Sequence, residues 1–459
     1  MLTRRHLFRS GATALTSWAL SSLLADDLSA APHFPAKAKR VIFLYMMGAP
    51  SQVDMFDPKP ALTRLDGQPI PDSILGDTTF AFVKGRPDLM GSPYRFRQSG
   101  QSGAPFSELL PNLAAVADDL SFIRTMQSDE FGHGAAELFL QSGFGRVGRP
   151  SFGAWVSYGL GSMNRSLPAY VVLAPAATYN GSMTWTSGFL PSVHQGVKFR
   201  AAGDPVFFLS KPPGVSAAQQ QDVIETVGEL NRQVAAEALD PEIEARVAQY
   251  ELAFHMQTAV PELMSIADEP AHILEMYGAT PGQSSFANDC LLARRMAERG
   301  VRFVQVCTPS WDFHEGIYLE NRLPKACRNM DRPCAALIRD LKQRGMLDDT
   351  LVFWAGEFGR TPIVQAINPA GKRGEPGRDH HKDAFTIWMA GAGVKPGVSI
   401  GRTDEFGFKP VEDAVHMHDL HATALHLLGI DHTRLTYRHQ GRNFRLTDVH
   451  GQVVRGILA

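Results

Sequence analysis

Cysteine is scarce in this chain. Its 459 residues hold four, Cys290, Cys307, Cys327 and Cys334, and no two form a CxxC pair. That spacing argues against a zinc ribbon. Cys327 and Cys334 fall seven apart in an expected helix, about 10 Å along its axis at ~1.5 Å of rise per residue, too far to bridge. Basic excess is missing as well. Lys and Arg number 45 against 47 Asp and Glu, the formal net charge is −2, and like charges form no block. A nucleic-acid surface of the usual kind, a basic domain or stripe, is therefore not expected. There is no internal repeat or low-complexity tract, and beyond the N-terminus no segment is apolar enough to cross a membrane. Gly143-Phe144-Gly145-Arg146 lacks the Lys-Ser/Thr of a phosphate-binding loop and carries no nucleotide claim.

What is present is ordinary globular composition, 44% hydrophobic and 20% charged, enough for a large core. The N-terminus reads as an export leader over residues 1–31. Arg4-Arg5-His6-Leu7-Phe8-Arg9 precedes an apolar stretch from Ala12 to Leu24 and the small residues Ser29, Ala30 and Ala31. The paired arginines resemble a twin-arginine signal, so the mature protein is expected in the periplasm or secreted, without a transmembrane segment.

Residues 40–459 then read as one α/β domain. Arg40–Met47 is a continuous apolar run closed by Gly48-Ala49-Pro50, the pattern of a buried parallel strand. Further strands are expected at 120–124, 169–173, 301–306, 350–354 and 384–389, and helices at 107–119, 135–140, 152–158, 286–299, 323–343 and 420–428, the fifth of these offset near Pro333. Residues 216–266 turn rich in Ala, Gln and Glu with helical spacing, and read as a helical insertion. This is βαβ logic, a mostly parallel sheet flanked by helices, whose ligands bind beyond the carboxyl ends of the strands.

Three such ends carry chemistry: Trp311-Asp312-Phe313-His314-Glu315, Gly356-Glu357-Phe358-Gly359-Arg360, and Gly377-Arg378-Asp379-His380-His381. Carboxylate with imidazole suits zinc or a similar divalent ion, whereas carboxylates alone would favour calcium or magnesium. The same residues also suit loops and caps. A second group, His416, His418, His421 and His426, more often marks a solvated or satisfied helix face. Trp185 and Trp311 stand in contexts suited to a pocket wall.

These landmarks resemble the alkaline phosphatase and sulfatase superfamily. Leu351–Gly359 resembles its strand ending in Ser-Asp-His-Gly, with Glu357 on the metal-binding Asp. Asp419–Ile430 resembles its "D-hydrophobic-x-P-T" helix, with Ala422 in place of Pro. The whole chain from Arg40 onward is similar to one group within it, the domain of unknown function 1501, on Gly48–Lys59, Trp311–His314, Gly356–Pro362 and Gly377–His381. The resemblance implies a divalent metal held by Asp312, His314, Glu357, Asp379, His380 and His381, with Asp54 curling back to join them. It implies sulfate or phosphate esters as substrates, small or polysaccharide. Counting back ten from Gly143, as the sulfatase nucleophile is placed, gives His133, so no formylglycine can form. His133 is then the expected nucleophile or general acid/base, and Arg360 and Arg378 the anion clamps. A non-catalytic binder of anionic ligands on the same scaffold is the alternative. The oligomeric state stays open.

Overall fold

A computed structural model describes residues 31–459 except 77–79, 175–177, 201–204, 207–213, 215, 239–240, 309–310 and 368–372. The export leader therefore lies, but for Ala31, outside the described residues.

Alternation explains the central strand. In β1 (Arg40–Met46), Ile42, Leu44 and Met46 pack into one core while Val41, Phe43 and Tyr45 pack into another. A strand buried on both faces needs both sets apolar, which is what the unbroken run supplies. The other sheet strands are β2 (Ser121–Gln127), β3 (Tyr170–Leu173), β4 (Val197–Phe199), β5 (Phe303–Thr308), β6 (Thr350–Ala355), β7 (Phe385–Ala390), β8 (Ser399–Ile400) and β9 (Val415–His416). Their order is β8-β2-β7-β6-β1-β5-β3-β4, with β9 also on β2. β1 lies parallel to β5 and β6; β7 runs antiparallel to both β2 and β6. The carboxyl ends of β5, β1 and β6 thus sit side by side.

Helices cover both faces. α1 (His133–Ser142), α2 (Phe152–Leu160) and α7 (Met417–Leu427) contribute to the core shared with Phe43 and Tyr45. α5 (Phe286–Glu298) and α6 (Leu323–Gln343) fill the opposite core. Between β4 and α5 lie α3 (Ala217–Ala238) and α4 (Pro241–Met264). The α/β class with a helical insertion is thus observed. Three details differ from expectation. The 107–119 stretch is not one helix but Pro111–Ala114 followed by a 3-10 turn, Ala117–Asp119. α6 runs unbroken through Pro333, although proline cannot donate to the carbonyl four residues back. α7 starts earlier than expected, because His416 caps it: the His418 N–H approaches His416 Nδ1 at 3.4 Å, and the His416 N–H donates to Asp419 at 2.9 Å.

All four cysteines are free and buried, and Cys290 on α5 meets Cys334 on α6. Beside Cys290, Asp289 is buried in the first turn of α5 with one carboxylate oxygen lacking a partner. Burial pushes its pKa up to about 7. A raised carboxyl favours the folded state at low pH, and that contribution is lost as pH rises from the ordinary Asp value through about 7. Asp289→Asn is therefore expected to stabilise the protein at pH 8, by a few kcal/mol at most, with the gain vanishing below about pH 4. Urea unfolding at the two pH values checks this, and a gain of equal size at both would refute it.

Candidate metal centre

The strand ends are tied together by one guanidinium. Arg360 is fully buried and donates through Nη2 to the Gly48 carbonyl (2.6 Å) and the Asp312 carboxylate (2.5 Å), through Nε to the Ala49 carbonyl (3.0 Å) and through Nη1 to the Arg378 carbonyl (3.2 Å). The ends of β1 and β6, the segment after β5 and the 377–381 segment therefore meet at fixed distances. Glycine is required at 48, where φ is +110° and a Cβ would sit 2.6 Å from the Asp312 nitrogen. Glycine is likewise required at 377, where a Cβ would lie 2.2 Å from the His314 carbonyl carbon.

Four side chains converge there. His133, Asp312, His314 and His380 bring one ligand-type atom each to within 4.8 Å of one another. Asp312 Oδ1 is 3.1 Å from His133 Nε2, 2.9 Å from His314 Nε2 and 3.6 Å from His380 Nε2. The far nitrogen of each imidazole is engaged. His133 Nδ1 lies 2.6 Å from Glu357, His314 Nδ1 2.7 Å from Gln365 Oε1, and His380 Nδ1 2.6 Å from the Phe131 carbonyl. A carbonyl or carboxylate only accepts, so each Nδ1 carries the proton and each Nε2 lone pair faces inward.

That tautomer pattern favours a cation. His314 Nε2 and His380 Nε2 are 2.9 Å apart, two lone pairs in contact. His133 Nε2 is buried and lacks an aligned hydrogen bond despite its contact with Asp312. Burial and the charges of Arg360 and the neighbouring imidazoles push His380 down to about 3, so it stays neutral and able to ligate. Burial opposes protonation of His133, but its contacts with Asp312 and Glu357 outweigh it and raise its pKa. Burial would likewise raise the Asp312 pKa, yet the three histidines crowded on it and the Arg360 charge hold it far below the carboxylate range. Imidazoles oriented by carboxylate or carbonyl acceptors around one carboxylate are the arrangement of a metal site, and these residues fit a divalent ion.

Behind His133 lies a buried network. Glu357 accepts from the Gly48 N–H at 3.0 Å, and the Tyr45 hydroxyl lies 3.3 Å from both Glu357 and Glu137. One phenol proton cannot serve two carboxylates. Burial pushes Glu137 up to about 7, and a protonated Glu137 resolves the conflict. Around the mouth stand exposed rings. Tyr179 stacks on His133 at 4.6 Å, Phe82 meets His314 and His380 edge-on at 5.0 and 5.3 Å, and half-exposed Phe131 supplies the carbonyl for His380.

The residues expected from the sequence divide cleanly. Asp312, His314 and His380 come together, and His133, expected as a nucleophile, joins them as a ligand-type residue at the start of α1. Glu357 is not in the cluster but one step behind it, on His133. His381 points away: it pairs with Gly359 in a short antiparallel ladder where His380 pairs with Arg360, and its Nε2 meets the Phe408 carbonyl at 2.8 Å. Neighbours in a strand face opposite sides, so only one of the two can reach the centre. The Asp379 carboxylate is occupied by the N–H groups of Phe82, Val83 and His380 and anchors the Phe82 loop. Asp54 does not curl back to the centre. It forms a fully buried pair with Arg378 at 2.8 and 3.1 Å, joined by Tyr318 and Ser51. Arg378 is therefore no anion clamp, and Arg360 likewise has its N–H groups committed to protein acceptors. Trp185 and Trp311 are buried rather than pocket walls, and His418 and His421 bond the carbonyls of Gly143 and Leu140. Sequence spacing gave no sign of Gln365, Tyr45 or Glu137, whose roles arise only from folding.

Residues 38–458 match the family described as "Protein of unknown function (DUF1501)", and the chain belongs to it. No curated protein matches it. Among solved structures it is similar to the lipoteichoic acid synthase LtaP from Listeria monocytogenes, with 9% identity over 93% of this chain and 80% of that one and a TM-score of 0.37. It is also similar to the alkaline phosphatase of the Antarctic bacterium TAB5, with 9% identity over 79% of this chain and 94% of that one and a TM-score of 0.31. The PsFucS1 sulfatase from Pseudoalteromonas sp. shares 13% identity over 86% of this chain and 68% of that one, with a TM-score of 0.36.

Two substitutions test these assignments. Glu357→Gln is expected to weaken zinc binding about 10–100-fold, read by competition with a chromophoric chelator, because the bond that orients His133 is weakened. Unchanged affinity would remove Glu357 from the site. Arg378→Gln is expected to cost about 3–5 kcal/mol in denaturant unfolding by leaving Asp54 buried and uncompensated. A loss within 0.5 kcal/mol would contradict a structural pair.

Proposed function

We propose that this member of the DUF1501 family is a metal-dependent hydrolase of sulfate or phosphate esters, polysaccharide esters among them, working in the cell envelope after twin-arginine export to the periplasm or beyond. The observation that carries this reading is the convergence of three imidazole Nε2 atoms and Asp312, each imidazole fixed from behind. Nitrogen donors in the majority favour zinc or a similar borderline ion over calcium.

A divalent ion bound here would polarise an ester oxygen and acidify a water. The chain's own residues do the rest. His133, His314 and His380 present lone pairs, and Asp312 supplies the negative charge. Glu357 holds the His133 proton on Nδ1. Arg360 keeps Asp312 ionised and immobile. The Tyr179, Phe82 and Phe131 rings shield the mouth from water and offer flat faces to a sugar ring. Because no Ser, Thr or Cys stands where the sulfatase comparison puts the nucleophile, the favoured attacking group is water rather than a side chain. The alternative, an anion binder without turnover, is favoured by that same replacement of the nucleophile by His133.

The test is metal content on protein taken from the exported fraction, followed by assays on p-nitrophenyl sulfate and phosphate. Hydrolysis is expected to vanish on chelation, return with zinc, and fall at least about 100-fold in Asp312→Ala and in His314→Ala. Chelated protein that hydrolyses as fast as untreated protein overturns the metal mechanism. Metal-loaded protein inert to both esters favours the binder.

A further inference from the structure

We propose that the cavity at the start of α6 is an anion subsite that holds a second sulfate or phosphate group of a polyanionic substrate, on the far side of the Trp311–His314 segment from the metal centre. The proposal rests on the hydrolase reading for its occupant but not for the cavity itself.

The cavity has a volume of about 760 Å³, within the range of small-ligand sites, and Arg322, Lys325, Arg328 and Arg332 line it. No Asp or Glu is among its lining residues. In a chain with formal net charge −2 that is a marked local excess. Three of the four cations have no carboxylate partner among the described residues. Among the described residues, no carboxylate pairs with Arg322 or Lys325. Arg332 donates to the backbone carbonyls of Met276 and Glu275, which hold it in place but leave its charge uncompensated. Only Arg328 has a carboxylate, Glu320 at 2.6 Å, and both partners are more than half exposed, so solvent screens the pair and a ligand can displace it. The four cations recur at spacings of three, three and four along the beginning of α6, which puts them on one face of the helix. The positive end of this 21-residue helix adds to their field.

Position ties the cavity to the centre. Phe313, which lies between the ligand-type residues Asp312 and His314, and Thr308, at the end of β5, both line it. Phe313 is buried in the α5–α6 core while its two neighbours face the histidines. The same four-residue segment is thus a wall of the cavity on one side and a carrier of ligand atoms on the other. Arginine forks match tetrahedral oxyanions, and Asn329 and Ser284 offer further polar groups to hydroxyls. A ligand long enough to carry one ester to the metal and another charged group to the cavity fills both places, whereas a simple monoester fills only one.

Binding separates this idea from catalysis. A sulfated hexasaccharide, inorganic sulfate and inorganic phosphate are titrated calorimetrically at low ionic strength into wild type, Arg322→Gln/Lys325→Gln, Lys325→Glu and His314→Ala. The hexasaccharide is expected to bind wild type best, to keep measurable binding to His314→Ala through the cavity, and to bind at least about tenfold more weakly than wild type to both cation variants, with inorganic sulfate or phosphate competing weakly. Lys325 is exposed, so Lys325→Glu keeps the test valid should the double variant fold poorly. Equal affinity across all four proteins, loss of binding only in His314→Ala, or no binding of any of the three probes overturns the subsite. Binding that survives in protein inert to all esters upholds the subsite while removing the hydrolase.

Discussion

Everything at the centre depends on Arg360. Its guanidinium reaches the carbonyls of Gly48 and Ala49, the Asp312 carboxylate and the Arg378 carbonyl from one buried position. These groups come from three segments widely separated along the chain, and Arg360 itself from a fourth. The sheet brings the strands parallel; Arg360 sets how far their ends can diverge. A lysine could satisfy one or two of these acceptors but not the planar fork of all four. Because Asp312 is the only carboxylate in the cluster, the same contact that holds the architecture also keeps the ligand ionised.

The second constraint is the proton count on three imidazoles. Each Nδ1 is committed to an acceptor that cannot donate, so all three Nε2 atoms point inward as bases. Such an arrangement is unstable alone: like lone pairs at 2.9 Å repel. It becomes favourable with a cation between them, or in part with a proton on His133 between Asp312 and Glu357. Metal and proton therefore compete for the same place, and metal affinity should weaken in acid as His133 takes up its proton. In the network behind Glu357, burial of Glu137, with a smaller push from the Glu357 charge, drives it towards the neutral form.

Much of this could be read from the sequence, and the failures have a common cause. Apolar runs and their punctuation located the strands whose ends carry the site, and the order of landmarks pointed to Asp312, His314 and the His380–His381 pair. Local pattern could not say which way a side chain faces. His380 and His381 are chemically identical neighbours, and only the pairing with Arg360 and Gly359 separates the inward one from the outward one. Glu357 and His133 were read in each other's neighbourhood but with the carboxylate as ligand and the imidazole as reactant; the fold puts the imidazole in front. Asp54 and Arg378, 324 positions apart, each looked like a free functional group because neither spacing nor composition shows that they neutralise one another.

Composition misleads in the same way about charge. A chain with a net charge of −2 has no overall attraction for anions. Field, however, is local, falling off over about 10 Å at ordinary salt. Four cations on one face of α6, beside a cavity free of carboxylates and one residue from the metal ligands, make a region of positive potential that the whole-chain sum conceals. Acidic residues elsewhere on the surface cancel it in the total but not at the site. Anion recognition here is therefore a property of placement, set by where α6 begins relative to the end of β5, and a family member could lose it by a few substitutions in that turn without any visible change in its net charge or its metal centre.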